Sequence, residues 1–175
     1  MTIDEIKEYI LDVPDFPKPG IMFKDIMPLL ENGVVRDKVL ELLVSDALKY
    51  KPEVIVGIES RGFFFGMLMA KMLNVPFIPI RKKGKLPGDV LSQEYQLEYG
   101  VDHMEIQAST LKKYKRILIH DDVLATGGTC EAAAKLCIHN QDVTIAFSFI
   151  MHLSFLNGME KINPFTENTY SVLTY

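Results

Sequence analysis

Apolar positions along the chain follow two different periods. Near the N-terminus, Thr2 and Glu5 form a capping-box pattern, and Ile3, Ile6, Ile10 and Leu11 recur at helical spacing, which predicts a helix ending before Pro14. Pro14, Pro17 and Pro19 fix φ and remove donors, which excludes regular structure from residues 14–20. Asn32-Gly33 marks a turn. Residues 34–50 then predict an amphipathic helix, with Val35, Val39, Leu42, Leu43 and Ala47 along one face.

Beyond that helix the period changes. Apolar runs at 54–58, 76–80, 116–120 and 143–151 alternate with helical stretches, one reaching Leu73 and one covering 129–139. Runs without polar interruption are strands buried on both faces, and their alternation with helices predicts an α/β fold with a parallel sheet. A basic, glycine-rich loop, 81–88, follows the second run, and a polar, partly alternating region covers 92–107. No repeat, low-complexity tract or interdomain linker is visible, so a single domain is expected over residues 1–175.

Composition adds three limits. Apolar residues are 48% and charged residues 24%, an ordinary globular balance that can bury a core. The 19 basic and 23 acidic residues give a formal charge of −4, which argues against broad binding to nucleic acid or anionic membrane. Cys130 and Cys137 stand seven apart on one predicted helix, about 10 Å at 1.5 Å per residue, beyond a disulfide's reach of roughly 7 Å. Two free thiols, no basic leader and apolar runs too short to span a bilayer predict a cytoplasmic, soluble protein.

The segment richest in chemistry is 117–129, ILIHDDVLATGGT. A buried strand ends in Asp121 and Asp122, and a small-residue loop then runs into a helix. Ligands of open parallel sheets bind beyond the carboxyl ends of strands. Ala125, Thr126, Gly127, Gly128 and Thr129 offer consecutive backbone N–H groups, two hydroxyls and a helix N-terminus, which suit a phosphate monoester. The two carboxylates just upstream suit ribose hydroxyls. Other phosphate loops are excluded: there is no G-x-G-x-x-G, and Gly57 and Gly62 are followed by Phe63-Phe64 rather than by Lys and Ser/Thr.

Residues 117–129 resemble the phosphoribosyl-diphosphate (PRPP) motif of the type I phosphoribosyltransferases. The runs 15–26 (DFPKPGIMFKDI), 59–63 (ESRGF), 80–88 (IRKKGKLPG) and 95–100 (YQLEYG) occur in the order of one branch, the adenine phosphoribosyltransferases, and cover nearly the whole chain. The resemblance implies a Rossmann-like parallel sheet with a small N-terminal base-binding hood at 1–33 and a mobile lid loop at 82–98. It implies a pentosyltransferase that converts adenine and PRPP to AMP and pyrophosphate, with Mg²⁺ held through PRPP and water rather than by a protein-built site, and a homodimer.

Residue by residue, the resemblance implies that pyrophosphate lies at Ser60, Arg61, Arg81, Lys82 and Lys85, beside a non-proline cis peptide between Glu59 and Ser60. Adenine is expected at Met22, Phe23, Lys24 and Leu153, with Phe23 stacked on the purine. In the lid, Gly84 and Gly88 are candidate hinges, Tyr99 a shaping residue and Glu98 the acid/base; Arg61 and Glu98 are the expected catalytic residues. Lys24 stands where the family often has arginine, and His152-Leu153 replaces a Glu-Leu pair. His103, His120, His139 and His152 lack metal-ligand spacing and are expected to be structural or exposed. A 6-oxopurine phosphoribosyltransferase is the alternative reading, and a noncatalytic PRPP-binding regulator a more distant one.

Overall fold

A computed structural model describes residues 1–96, 100–139 and 142–175, which pack as two compact units, Met1–Leu42 and Leu43–Tyr175. The first begins with α1 (Ile3–Lys7), closed by the expected capping box: the Thr2 hydroxyl accepts from the Glu5 N–H at 3.2 Å and the Glu5 carboxylate from the Thr2 N–H at 2.6 Å. The helix is shorter than the apolar spacing predicts. Leu11–Val13 forms β1, whose antiparallel partner is β2 (Phe23–Asp25), so strand pairing takes over the backbone groups a longer helix would have used.

The proline-rich connection is held as a turn. Phe16–Pro17 is cis, Asp15 accepts the Gly20 N–H at 2.7 Å, and Phe16 meets Phe23 edge-to-face with centroids 5.1 Å apart. A short α2 (Met27–Glu31) follows, unread in the sequence because it holds few residues and contains Pro28, which the first helical turn tolerates. Asn32 then accepts from the Val34 and Val35 N–H groups, at 3.1 and 3.2 Å, and starts α3 (Gly33–Tyr50), close to its predicted span.

The second unit is built on a seven-stranded sheet. In chain order its elements are β3 (Val54–Ile58), α4 (Gly62–Leu73), β4 (Phe77–Lys82), β5 (Val90–Gln96), β6 (Val101–Gln107), β7 (Arg116–Leu124), α5 (Gly128–Ile138), β8 (Thr144–His152), a 3-10 turn (Ser154–Leu156), α6 (Met159–Ile162) and β9 (Thr169–Thr174). The strand order is β5-β6-β4-β3-β7-β8-β9. β4, β3, β7, β8 and β9 run parallel, and β6 and β5 add an antiparallel extension on β4. Val56, Ile58, Ile119, Phe147 and Phe149 pack with Ala133, Leu136 and Cys137 of α5 into the core.

Two expectations are corrected, and one strand is added. β7 continues to Leu124, so the Asp pair lies inside a strand rather than after its end. Much of the expected lid loop is strand β5, which pairs with β6 from Val90↔Gln107 to Gln96↔Val101; burial of Tyr95, Met104 and Ile106 explains why that polar stretch is ordered. β9 joins the sheet beside β8 with only Val172 and Leu173 buried, too weak a pattern to read as a strand. Cys130 and Cys137 are free, buried thiols, and among the described residues no helix is long and apolar enough to cross a membrane.

α4 packs closely on the sheet because two glycines make room for one ring. A Cβ on Gly57 would stand 2.6 Å from the Phe77 ring, and one on Gly66 2.9 Å from it. Gly57→Ala should therefore cost about 1–3 kcal/mol by overpacking. Thermal denaturation should show a lower Tm, partly restored by adding Phe77→Leu; an unchanged Tm would show that the ring has room to move.

Candidate active site

The parallel strands direct their carboxyl ends to one edge, where β7 delivers Asp121 and Asp122, both buried. Asp121 Oδ1 accepts the Asp122 N–H at 2.9 Å, and Arg61 Nε lies 2.9 Å from Asp122 Oδ2. The fold thus joins the expected ribose carboxylates to the Ser60-Arg61 segment, and Glu59–Ser60 is a cis peptide as the resemblance implied. Gly62 sets how near they come. A Cβ there would meet the His120 carbonyl oxygen at 2.7 Å and Asp121 Oδ1 at 3.0 Å.

Electrostatics follow from this burial. Asp121 is pushed well above the usual carboxyl range, first by burial and then by the charge of Asp122. Burial raises Asp122 as well, against the opposing pull of Arg61. His120, just before them, is fully buried and held neutral, its pKa lowered to about 3 by burial, so it is a structural histidine.

After β7 the chain passes half-buried Ala125 and exposed Thr126 to Gly127, whose φ of +79° needs glycine, and Gly128 opens α5. No side chain caps α5; its first hydrogen bond runs from the Glu131 N–H to the Gly127 carbonyl at 2.8 Å. Gln96, the last residue of β5, comes alongside: its carbonyl oxygen lies 3.4 Å from the place of a Gly128 Cβ. Glu98 and Tyr99, two residues farther on, lie outside the described residues, as do Asn140 and Gln141.

Glu59 is the residue the sequence reading passed over. Its carboxylate accepts Arg81 Nε at 3.1 Å and the Lys82 N–H at 2.9 Å, and it pairs with Lys85. Burial opposes its charge, but hydrogen bonds from Lys85, Lys82 and Arg81 outweigh burial and hold the carboxyl below its usual range. Three of the expected pyrophosphate residues are therefore gathered on one side chain. Lys82 Nζ also reaches Asp102 at 3.2 Å, and Tyr95 donates to that carboxylate; burial and Asp102 push Tyr95 up to about 12. Gly84 and Gly88 take φ of +80° and +76°, and the Gly84 N–H donates to buried Glu105 at 2.9 Å.

The residues expected at adenine are placed as follows. In the first unit Phe23 and Lys24 sit on β2, Met22 is half exposed, and Lys24 pairs with Asp12 across the β1–β2 ladder at 2.5 Å. In the second unit Leu153 is buried at the end of β8, its N–H donating to the Leu124 carbonyl at 2.9 Å. Among the described residues no three His, Cys, Asp or Glu side chains are grouped to hold a metal ion.

Two predictions follow from the charges. Because Asp121 is held above its unfolded value of 3.8, the folded chain binds more protons between the two values and loses stability as pH rises. Asp121→Asn should flatten that decline and raise Tm at pH 7, at roughly 2–4 °C per kcal/mol; an equal or lower Tm would show the pair is not under strain. Glu59→Gln removes the charge that orients Arg81 and Lys85, interactions worth about 1.5–3 kcal/mol each. Binding of inorganic pyrophosphate, the anion expected on these residues, should weaken about tenfold or more, by the 1.4 kcal/mol-per-decade rule; titration calorimetry measures it, and unchanged affinity would show that Glu59 does not orient an anion site.

Comparison with known proteins bears on the same site. The phosphoribosyl transferase domain family matches residues 33–164. The chain is 48% identical over 171 residues to the adenine phosphoribosyltransferase of Flavobacterium johnsoniae, covering 98% of this chain and 99% of that protein. Among solved structures, adenine phosphoribosyltransferase from Thermoanaerobacter pseudethanolicus superposes with a TM-score of 0.93 at 41% identity, covering 99% and 100% of the two chains. APRTase from Giardia lamblia, complexed with 9-deazaadenine, gives 0.94 at 36% identity, covering 100% and 98%. With the buried Asp pair, the glycine loop after it and these relatives along its whole length, the chain belongs to the adenine phosphoribosyltransferase family of the type I phosphoribosyltransferase fold.

Proposed function

We propose that this chain joins N9 of adenine to C1′ of PRPP, breaking the bond from C1′ to the pyrophosphate oxygen and yielding AMP and pyrophosphate. The observation that carries the reading is the buried Asp121–Asp122 pair, held by Arg61 and leading directly into the Gly127-Gly128 loop, in a member of this family. Asp121 and Asp122 accept the ribose hydroxyls, and Ala125, Thr126, Gly127, Gly128 and Thr129 hold the 5′-phosphate with backbone N–H groups and hydroxyls. Ser60, Arg61, Arg81, Lys82 and Lys85 take pyrophosphate, where guanidinium forks match its oxygens.

Adenine is assigned to Met22, Phe23, Lys24 and Leu153. Since Lys24 is engaged by Asp12, its main chain rather than its ammonium serves the base. A site that pairs N1 and the 6-amino group leaves buried polar groups mismatched against hypoxanthine, which favours adenine. Glu98 takes the N7 proton as N9 attacks and returns it in reverse. The lid around Gly84, Gly88 and Tyr99 excludes water from an oxocarbenium-like transition state.

Magnesium suits this donor set. The hard oxygens at this end of β7 are the Asp carboxylates, and Mg²⁺ keeps waters and substrate oxygens rather than a protein cage. When bound with PRPP it offsets the charge of the departing pyrophosphate. A second copy of the chain is the expected partner, and α4 supports it with exposed Phe64, Met67 and Met72. The buried free thiols agree with a cytoplasmic setting.

Product formation with PRPP and Mg²⁺, offering adenine, hypoxanthine and guanine separately, tests the assignment. AMP from adenine alone is expected. IMP or GMP would keep the reaction and overturn the base, and no nucleotide at all would overturn catalysis. Glu98→Gln should lower turnover far more than PRPP affinity, and equal turnover would remove Glu98 from the mechanism.

A further inference from the structure

The short helix α6 and the turn before it lie against the loop assigned to the 5′-phosphate, although they follow it in sequence by a strand and a helix. Gly158 has φ −60° and ψ −26°, ordinary helical values, so its backbone conformation does not call for glycine. Its requirement is steric. A Cβ at Gly158 would stand 2.2 Å from the Ala125 carbonyl oxygen and 3.0 Å from Leu124 Cδ1. From the other side, a Cβ on Gly127 would stand 2.6 Å from the Gly158 carbonyl oxygen. Two glycine backbones are in direct contact here, and the turn at 157–158 is the floor on which the loop rests.

Lys161 extends from that floor. Its Nζ lies 3.9 Å from the place a Cβ on Gly128 would take, beside the first residue of α5. The carboxylate in the first turn of α5, Glu131, is engaged by Lys135 at 2.6 Å, and the Lys161 ammonium makes no ion pair or side-chain hydrogen bond with any described residue. A helix N-terminus is the positive end of the helix dipole. An unpaired ammonium beside it raises the local positive potential, and a phosphate dianion lowers the energy of both together.

We propose that Lys161 is a further ligand of the 5′-phosphate and that Gly158 positions the loop for it. This rests on the assignment of that phosphate to residues 125–129. Lys161 supplies the charge that the backbone N–H groups and hydroxyls of the loop lack, and it meets the phosphate from the α6 side.

The test uses the whole protein and two probes, ribose 5-phosphate, which carries this phosphate, and inorganic pyrophosphate, which does not. Dissociation constants are measured for the parent, Lys161→Gln, Lys161→Arg and Thr129→Val. Lys161→Gln should weaken ribose 5-phosphate about three- to tenfold, the scale of an exposed charge-assisted contact. It should leave pyrophosphate and Tm unchanged, and Lys161→Arg should recover most of the loss. If Thr129→Val weakens ribose 5-phosphate while Lys161→Gln does not, the loop assignment stands and the role of Lys161 is overturned. Equal weakening of both probes by Lys161→Gln would also overturn it, as a diffuse effect of charge. If neither variant weakens ribose 5-phosphate, the loop assignment itself falls, and the proposal with it.

Discussion

Two carboxylates buried side by side inside β7, toward its carboxyl end, are the constraint around which the candidate site is arranged. Taking one carboxylate out of water is costly, and a second beside it adds repulsion. The chain meets this cost locally with Arg61, delivered by the start of α4, and with the backbone N–H that Asp122 donates to Asp121. The arrangement still leaves Asp121 above its usual range. A hydroxyl-rich ligand that donates to both carboxylates relieves that burden, which makes the pair a poor structural element and a good binding element.

Holding that pair in place requires backbones to pass closer than side chains allow. Gly62 lets the beginning of α4 touch the His120 carbonyl, and Gly57 and Gly66 open a notch for Phe77 on the same layer. Gly127 and Gly158 do the same under the loop at 125–129. Conformation alone explains only Gly127 among these, since it has the positive φ. The others are set by close approach, so a methyl group at any of them shifts one segment relative to its neighbour. Glu59 plays the corresponding role for charge, collecting Arg81, Lys82 and Lys85 on a carboxylate that is itself mostly buried.

What was legible in the sequence was whatever is local. Val54–Ile58 and the run into Asp121 are strands buried on both faces, and unbroken apolar runs announce them. The Gly127-Gly128 loop announces itself by composition. Asp121 and Asp122 looked like the end of a strand because carboxylates normally stop burial, and here β7 carries both inside, with Arg61 beside them. The α1 region misled for a different reason: Ile10 and Leu11 keep the helical period, but β2, brought back by a cis-proline turn, offers strand pairing instead. Residues 90–96 were expected within the lid loop at 82–98, and their polar alternation is that of an edge strand with one wet face. Glu59 and Gly158 were silent because their partners lie far along the chain, and no local pattern records a contact of that kind. Phe23 and Glu98 are expected at the site through the resemblance alone; their residue types and spacing read only as a core aromatic and an exposed acid.

The central claim is that the buried Asp pair receives the ribose hydroxyls, and calorimetric affinities of ribose 5-phosphate and 2-deoxyribose 5-phosphate test it directly. A hydrogen bond from a hydroxyl to a charged acceptor is worth about 1.5–3 kcal/mol, so the parent chain should bind the hydroxylated sugar roughly tenfold or more tightly. That preference should shrink in Asp121→Asn or Asp122→Asn. Equal affinity of the parent for the two sugars would contradict the account, because the carboxylates would then be buried without the ligand contact that justifies burying them.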